Sequence, residues 1–173
     1  KTVQKMKEAG HYVGPHSDKH LLYCDWQKRD SLLIAKNAFQ DDLRDNFNAL
    51  AALGIPKNEA RLFIPPYEWY NDSIVAWSRQ AGLTLLNFTP GTLSHADYTT
   101  PEMKNYRSSA EIYNSILDFE RKSPNGLNGF YLLIHIGAGP GREDKFYGRL
   151  EEMVKELSRR GYDFGSLRRG VKL

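Results

Sequence analysis

The stretch GPHSDKH, residues 14–20, sets His16 and His20 four residues apart, directly after a glycine and a proline. The chain has five histidines, so two in one short segment ask for a reason. Imidazole is the commonest ligand for a borderline cation, and two of them at this spacing converge on one ion where the backbone turns between them. The helical pattern His-Glu-x-x-His is excluded, because Ser17 follows the first histidine and Gly14-Pro15 argues against a helix upstream. The pair is therefore either a set of metal ligands or two ordinary polar residues on a loop. His135 lies near the end of the apolar run GFYLLIHI, where on its own it reads more often as a hydrogen-bonded core histidine. Cys24 is the single cysteine, which rules out an internal disulfide and a cysteine-only zinc site. The glycine-rich GAGPG, 137–141, lacks the lysine and Ser/Thr of a phosphate-binding loop.

These residues need a scaffold, and hydrophobic periodicity outlines one. Val3 and Met6 share a face of a short helix that Gly10 closes. HYVGPH, 11–16, reads as a short strand. Phe39, Leu43, Phe47 and Leu50 repeat at helical spacing over 35–53, and Gly54 ends that helix before Pro56. RLFIPPY reads as a strand ending in a rigid double proline. Asn71 or Asp72 caps a helix carrying Ile74 and Trp77. LTLLNF, 83–88, is a strand, and a polar loop of about twenty residues follows, too long for a mere connection. Ser108 and Glu111 form a capping box for a helix with Ile112, Ile116 and Phe119. GFYLLIHI, 129–136, reads as a strand. A last helix carries Phe146, Leu150, Met153 and Leu157 up to Gly161, before a final strand YDFGSL.

Apolar strands alternating with amphipathic helices imply an α/β fold with a parallel sheet, in one domain over 1–173. Active sites of such folds form where strands end. His16, His20, Pro65-Pro66-Tyr67, Asn87 to Pro90 and His135 all fall there. Asp41-Asp42, the one paired aspartate, lies inside the helix at 35–53 and reads as a solvated face. Trp69 either stacks on a sugar ring or packs.

Composition narrows the class. A net charge of +3, spread along the chain, gives no stripe for nucleic acid. No apolar run nears the roughly 20 residues of a membrane helix. The start, KTVQKMKEAG, opens inside an amphipathic helix without a methionine, so a longer polypeptide is expected, with further sequence upstream.

In order, GHYVGPHSDKH, FIPPY, LLIHIG and GYDFGSL resemble the polysaccharide deacetylase family, carbohydrate esterase family 4 or the NodB homology domain. The first of these runs resembles that family's second motif and is the most specific. The resemblance implies a parallel-strand (β/α) barrel, distorted and (β/α)7-like, incomplete at its N-terminus. It implies a hydrolase: metal-dependent removal of N- or O-acetyl groups from a poly- or oligosaccharide. His16 and His20 match the metal ligands, and the cation implied is divalent, zinc foremost, with a third, carboxylate ligand expected upstream of Lys1. Tyr67 matches the residue whose backbone N–H holds the oxyanion, and His135 matches the general acid. Leu133 matches the wall against the acetyl methyl, and Pro66 and Trp69 are expected to line the substrate. The implied partner is an acetylated glycan, and the implied location is secreted or periplasmic.

The sequence also departs from the family. The first motif, Thr-Phe-Asp-Asp or similar, is absent. Ile64 stands where the third motif has arginine. The fourth motif, an aspartate that tunes the acid histidine followed by tryptophan, is not recognisable: NFTPGT stands in its place, with Asp97 as a substitute from the long loop. These departures leave a second reading, a non-catalytic carbohydrate-binding relative.

Overall fold

The computed structural model describes residues 2–167; Lys1 and 168–173, the two ends of the expected domain, lie outside the described residues. Two compact units result: one holds the described residues up to Asn87 and from Gly165 on, the other is Phe88–Phe164.

In the first unit the short helix α1 is Thr2–Glu8 and the long helix α2 is Lys36–Ala52. The periodic face of α2 turns inward, with Phe39, Leu43 and Leu50 buried. Phe39 is the centre of an aromatic cluster, edge-on to Tyr23 at 5.3 Å and to Phe63 at 6.3 Å, and tilted against Trp77 at 5.7 Å. Strand β1, Leu62–Phe63, pairs in parallel with β2, Thr84–Leu85, in the register Leu62 to Thr84 and Phe63 to Leu85. Between them runs α3, Asp72–Gln80, whose N-terminus is capped by the Asn71 side chain accepting from the Ile74 N–H. This strand–helix–strand unit carries out the parallel pairing the sequence implies.

In the second unit α4 is Ser109–Lys122, and Ser108 and Glu111 make both bonds of the capping box. Helix α5 is Leu150–Arg159, entered through a 3-10 turn at Phe146–Arg149. Ile112, Tyr113, Ile116, Leu127, Phe146, Met153 and Leu157 form one core. Another 3-10 turn, Ser94–Tyr98, lies within the expected long loop.

Three expected strands are not strands. Residues 11–16 run beside β1, but side chains make the bonds that a ladder would make. The Tyr12 hydroxyl accepts from the Leu62 N–H at 2.6 Å and donates to the Leu62 carbonyl at 3.2 Å. Pro15 has no N–H to offer. Gly14 passes so close that a Cβ there would lie 2.6 Å from the Leu62 oxygen. Residues 129–136 keep a two-residue rhythm, with Phe130, Leu132 and Ile134 packed on the core. Yet the Tyr131 N–H goes to the Thr89 hydroxyl at 3.1 Å and the His135 N–H to a carboxylate at 2.6 Å. YDFGSL is irregular: the Tyr162 hydroxyl is instead spent on the Leu127 N–H and on Glu120. No helix among the described residues is long and apolar enough to cross a membrane.

Candidate active site

His16 and His20 lie on an irregular loop, both exposed. Their ring centroids are 5.1 Å apart, edge to face. The loop is held in two left-handed residues, Ser17 with φ 87° and His20 with φ 53°. Such conformations cost on the order of 1–3 kcal/mol each and persist only where surrounding bonds enforce them. Helix α2 supplies those bonds. Asp42 is 1% exposed; its carboxylate accepts from the Ser17 hydroxyl at 2.6 Å, the Lys19 N–H at 2.9 Å and the Asp18 N–H at 3.3 Å. The Ser17 oxygen in turn accepts from the His20 N–H at 2.9 Å. One helical turn on, the Asn46 side chain accepts from the His16 N–H at 3.1 Å.

Asp42 thus corrects the expectation of a solvated Asp41-Asp42 face. Only Asp41 is exposed, paired with Arg44 at 2.5 Å. Successive helical residues point about 100° apart, so a doublet inside a helix is two residues on two faces.

His16 Nδ1 lies 2.8 Å from the Ile64 carbonyl. A carbonyl only accepts, so the proton sits on Nδ1 and the lone pair on Nε2, the arrangement that readies an imidazole for a cation. Ile64, where the family has arginine, enters the site through its backbone. His20 faces the Tyr67 ring edge-on at 4.5 Å.

Tyr67 and Glu68 are also left-handed, with φ 60° and 54°. Pro65 and Pro66 precede them, both buried. The Glu68 N–H returns to the Pro65 carbonyl at 3.0 Å, and the Asn87 side chain donates to the Glu68 carbonyl at 3.2 Å. Pro66, expected to line the substrate, is buried directly before Tyr67. Trp69 is half-buried: its indole N–H donates to the Asp25 carbonyl at 3.1 Å, and its ring carries both Trp26, stacked at 5.7 Å, and the Arg29 guanidinium at 4.3 Å. Its surroundings are those of a support.

In the second unit His135 Nδ1 is 2.6 Å from one oxygen of Asp97, while the His135 N–H donates to the other at 2.6 Å. Asp97 is 1% exposed, and the His135 side chain is about one-third exposed at 34%. The carboxylate fixes the proton on Nδ1 and turns Nε2 outward. Tyr98 lies edge-on to the His135 ring at 5.5 Å. Asp97, named from the long loop as a substitute for the missing fourth-motif aspartate, is thus on the histidine, and the aromatic Tyr98 follows it. Leu133 is half-buried two residues before His135.

Arg142 fixes the turn that carries Asp97. It is fully buried and donates to the Thr99 carbonyl and the Asp144 carbonyl, each at 2.7 Å, and to the Ser109 hydroxyl at 3.4 Å. Burial pushes the His95 imidazole below its ordinary value; the nearby Asp97 charge opposes that and His135 adds to it. His95 stacks on Phe88 at 5.0 Å.

His16 and His20 fit two positions of a borderline-cation site. Among the described residues no group of three or more His, Cys, Asp or Glu side chains comes together around them or elsewhere. Sequence reasoning missed Asp42, Asn46, Trp26 and Tyr98. The signals were present: Asp42 and Asn46 are spaced i, i+4 on one face, and Asp97 directly precedes an aromatic residue.

Residues 1–86 match the model of the polysaccharide deacetylase family. The chain belongs to that family as a divergent member. Its fold is similar to that of a family 4 carbohydrate esterase pseudoenzyme of Bacillus anthracis, at 17% identity and TM-score 0.65 over 95% of this chain and 48% of the other. A mutant of that pseudoenzyme with restored enzymatic activity matches at 17% identity and TM-score 0.65, over 95% and 49%. A family 4 carbohydrate esterase from Streptomyces lividans, solved with acetate, matches at 18% identity and TM-score 0.66, over 95% and 70%. The chain spans about half the length of the first two. These likenesses show the fold, the (β/α) barrel of the deacetylases. No curated protein matches.

Proposed function

We propose that this chain removes N- or O-acetyl groups from a poly- or oligosaccharide by metal-dependent hydrolysis, on a distorted (β/α)7-like barrel. The observation that carries the proposal is the His16–His20 pair, with His16 oriented by the Ile64 carbonyl and the loop braced by buried Asp42.

His16 and His20 would hold a divalent cation, zinc in the first instance, with a carboxylate as a further ligand. When bound, that ion supplies Lewis acidity toward the acetyl carbonyl and lowers the pKa of water. Tyr67, held left-handed behind two prolines, offers its backbone N–H to the developing oxyanion. His135 carries the leaving-group proton on Nε2; Asp97 holds the opposite nitrogen and stabilises the charged ring. Leu133 gives the acetyl methyl an apolar wall. A secreted or periplasmic setting, where polymeric glycans lie, accords with this activity.

Ile64 in place of arginine favours a second reading, a carbohydrate-binding relative without turnover. Acetate release by the complete polypeptide from a panel of acetylated glycans, with and without chelator, separates the two. The hydrolytic reading predicts release that chelator abolishes and zinc restores. Glycan binding without acetate release establishes the second.

A further inference from the structure

We propose that Trp26 is a sugar-stacking platform that binds the pyranose next to the acetylated one, a role resting on the deacetylase reading above. Trp26 is 56% exposed, among the most exposed large apolar side chains described. Its position is nevertheless built. The Asp25 carboxylate accepts from the Lys28 N–H at 2.7 Å and the Gln27 N–H at 2.8 Å, which holds that carboxyl below its ordinary range and closes a turn with Trp26 at its tip. The Asp25 N–H donates to the Ser31 carbonyl at 3.0 Å, and an antiparallel bridge between Cys24 and Leu32 ties the base of the loop to the core. Trp69, anchored through its own N–H to the Asp25 carbonyl, backs the Trp26 ring at 5.7 Å with 30° between the planes.

The occupant follows from what adjoins the ring. Tyr67 lies edge-on to Trp26 at 5.6 Å, and the same Tyr67 ring meets His20 at 4.5 Å. The aromatic surface is therefore continuous with the histidine pair. A glycan whose acetylated residue is presented to His16 and His20 places its neighbouring residue over this surface. The C–H face of a pyranose is apolar and flat, as an indole face is, while its equatorial hydroxyls remain in water. Because the loop is already ordered, little conformational entropy is lost on binding. Trp69, which the sequence leaves between stacking on sugar and packing, is the buttress, and Trp26 is the binding face.

The test is isothermal titration of the complete polypeptide in a His135→Ala background, so that turnover does not consume ligand, with N-acetylchitotetraose and acetylated xylotetraose as probes. With the probe that binds, Trp26→Ala weakens affinity about tenfold, and Trp26→Phe, which keeps a smaller ring, weakens it less. Equal affinity of Trp26→Ala and its parent, or no affinity of the parent for either probe, overturns the proposal, as does a loss of affinity equal in both variants. Trp26-dependent binding alongside no acetate release from the unmutated polypeptide sustains the platform and overturns the hydrolytic reading instead. Capture of a protein through this face in place of either glycan also overturns it.

Discussion

The histidines of the two units are held in opposite ways. In the first unit His16 rests on a neutral acceptor, the Ile64 carbonyl, and the buried carboxylate, Asp42, grips the loop backbone and Ser17. In the second unit the buried carboxylate, Asp97, sits on the imidazole itself and also takes its backbone N–H. A ligand histidine needs a fixed tautomer and an available lone pair, which a carbonyl provides without stabilising the protonated ring. A proton-transferring histidine needs a partner for the charge it carries, which a carboxylate provides. On the proposed function the two settings would divide labour between cation holding and proton transfer, with buried aspartates serving both by different routes.

Removing the rings breaks the comparison most sharply. His16→Ala and His20→Ala each abolish metal binding, read as metal content of the complete polypeptide, and acetate release goes with it. His135→Ala keeps the metal and loses roughly 10²–10⁴-fold in acetate release. Wild-type-like release by that variant rejects its role as the acid.

The aspartates sharpen it. Asp42→Asn weakens the brace on Ser17, Asp18 and Lys19, and second-sphere losses of this kind lower metal affinity roughly 10–100-fold; the same variant loses about 1–3 kcal/mol in a denaturant melt. Asp97→Asn leaves metal affinity unchanged and lowers acetate release. If both variants instead lower metal affinity equally, the division of labour fails.

The smallest effect concerns pH. The folded-state pKa of His95 is depressed by burial, so the unfolded chain takes up its proton first as pH falls. Stability from this group is full above the ordinary histidine value of about 6.5 and declines as pH drops toward the depressed value. His95→Gln flattens that acid-side decline in melts compared between pH 7 and the onset of carboxylate titration.

The helices were legible because their signals are local: the face of Phe39, Leu43 and Leu50, the Asn71 cap and the Ser108–Glu111 box all appear where their spacing puts them. The strands at 11–16 and 129–136 were not, because apolar alternation is satisfied by an extended segment whose ladder bonds are replaced by Tyr12, Thr89 and Asp97 side chains. The histidines were visible by type and spacing. Their partners were harder to see: Asp42 was read together with its exposed neighbour, and Asp97, offered only as a substitute from the long loop, meets His135 across 38 residues of sequence. Residue type marks the groups that do chemistry, whereas burial decides which carboxylates direct them.

The central claim is that the two imidazoles of the first unit hold a cation. A zinc anomalous difference map from crystals of the complete polypeptide tests it most directly. The account predicts a peak within coordination distance of His16 Nε2 and the His20 ring, with a carboxylate as a further ligand. A map with no peak there, and the two rings turned apart, contradicts it.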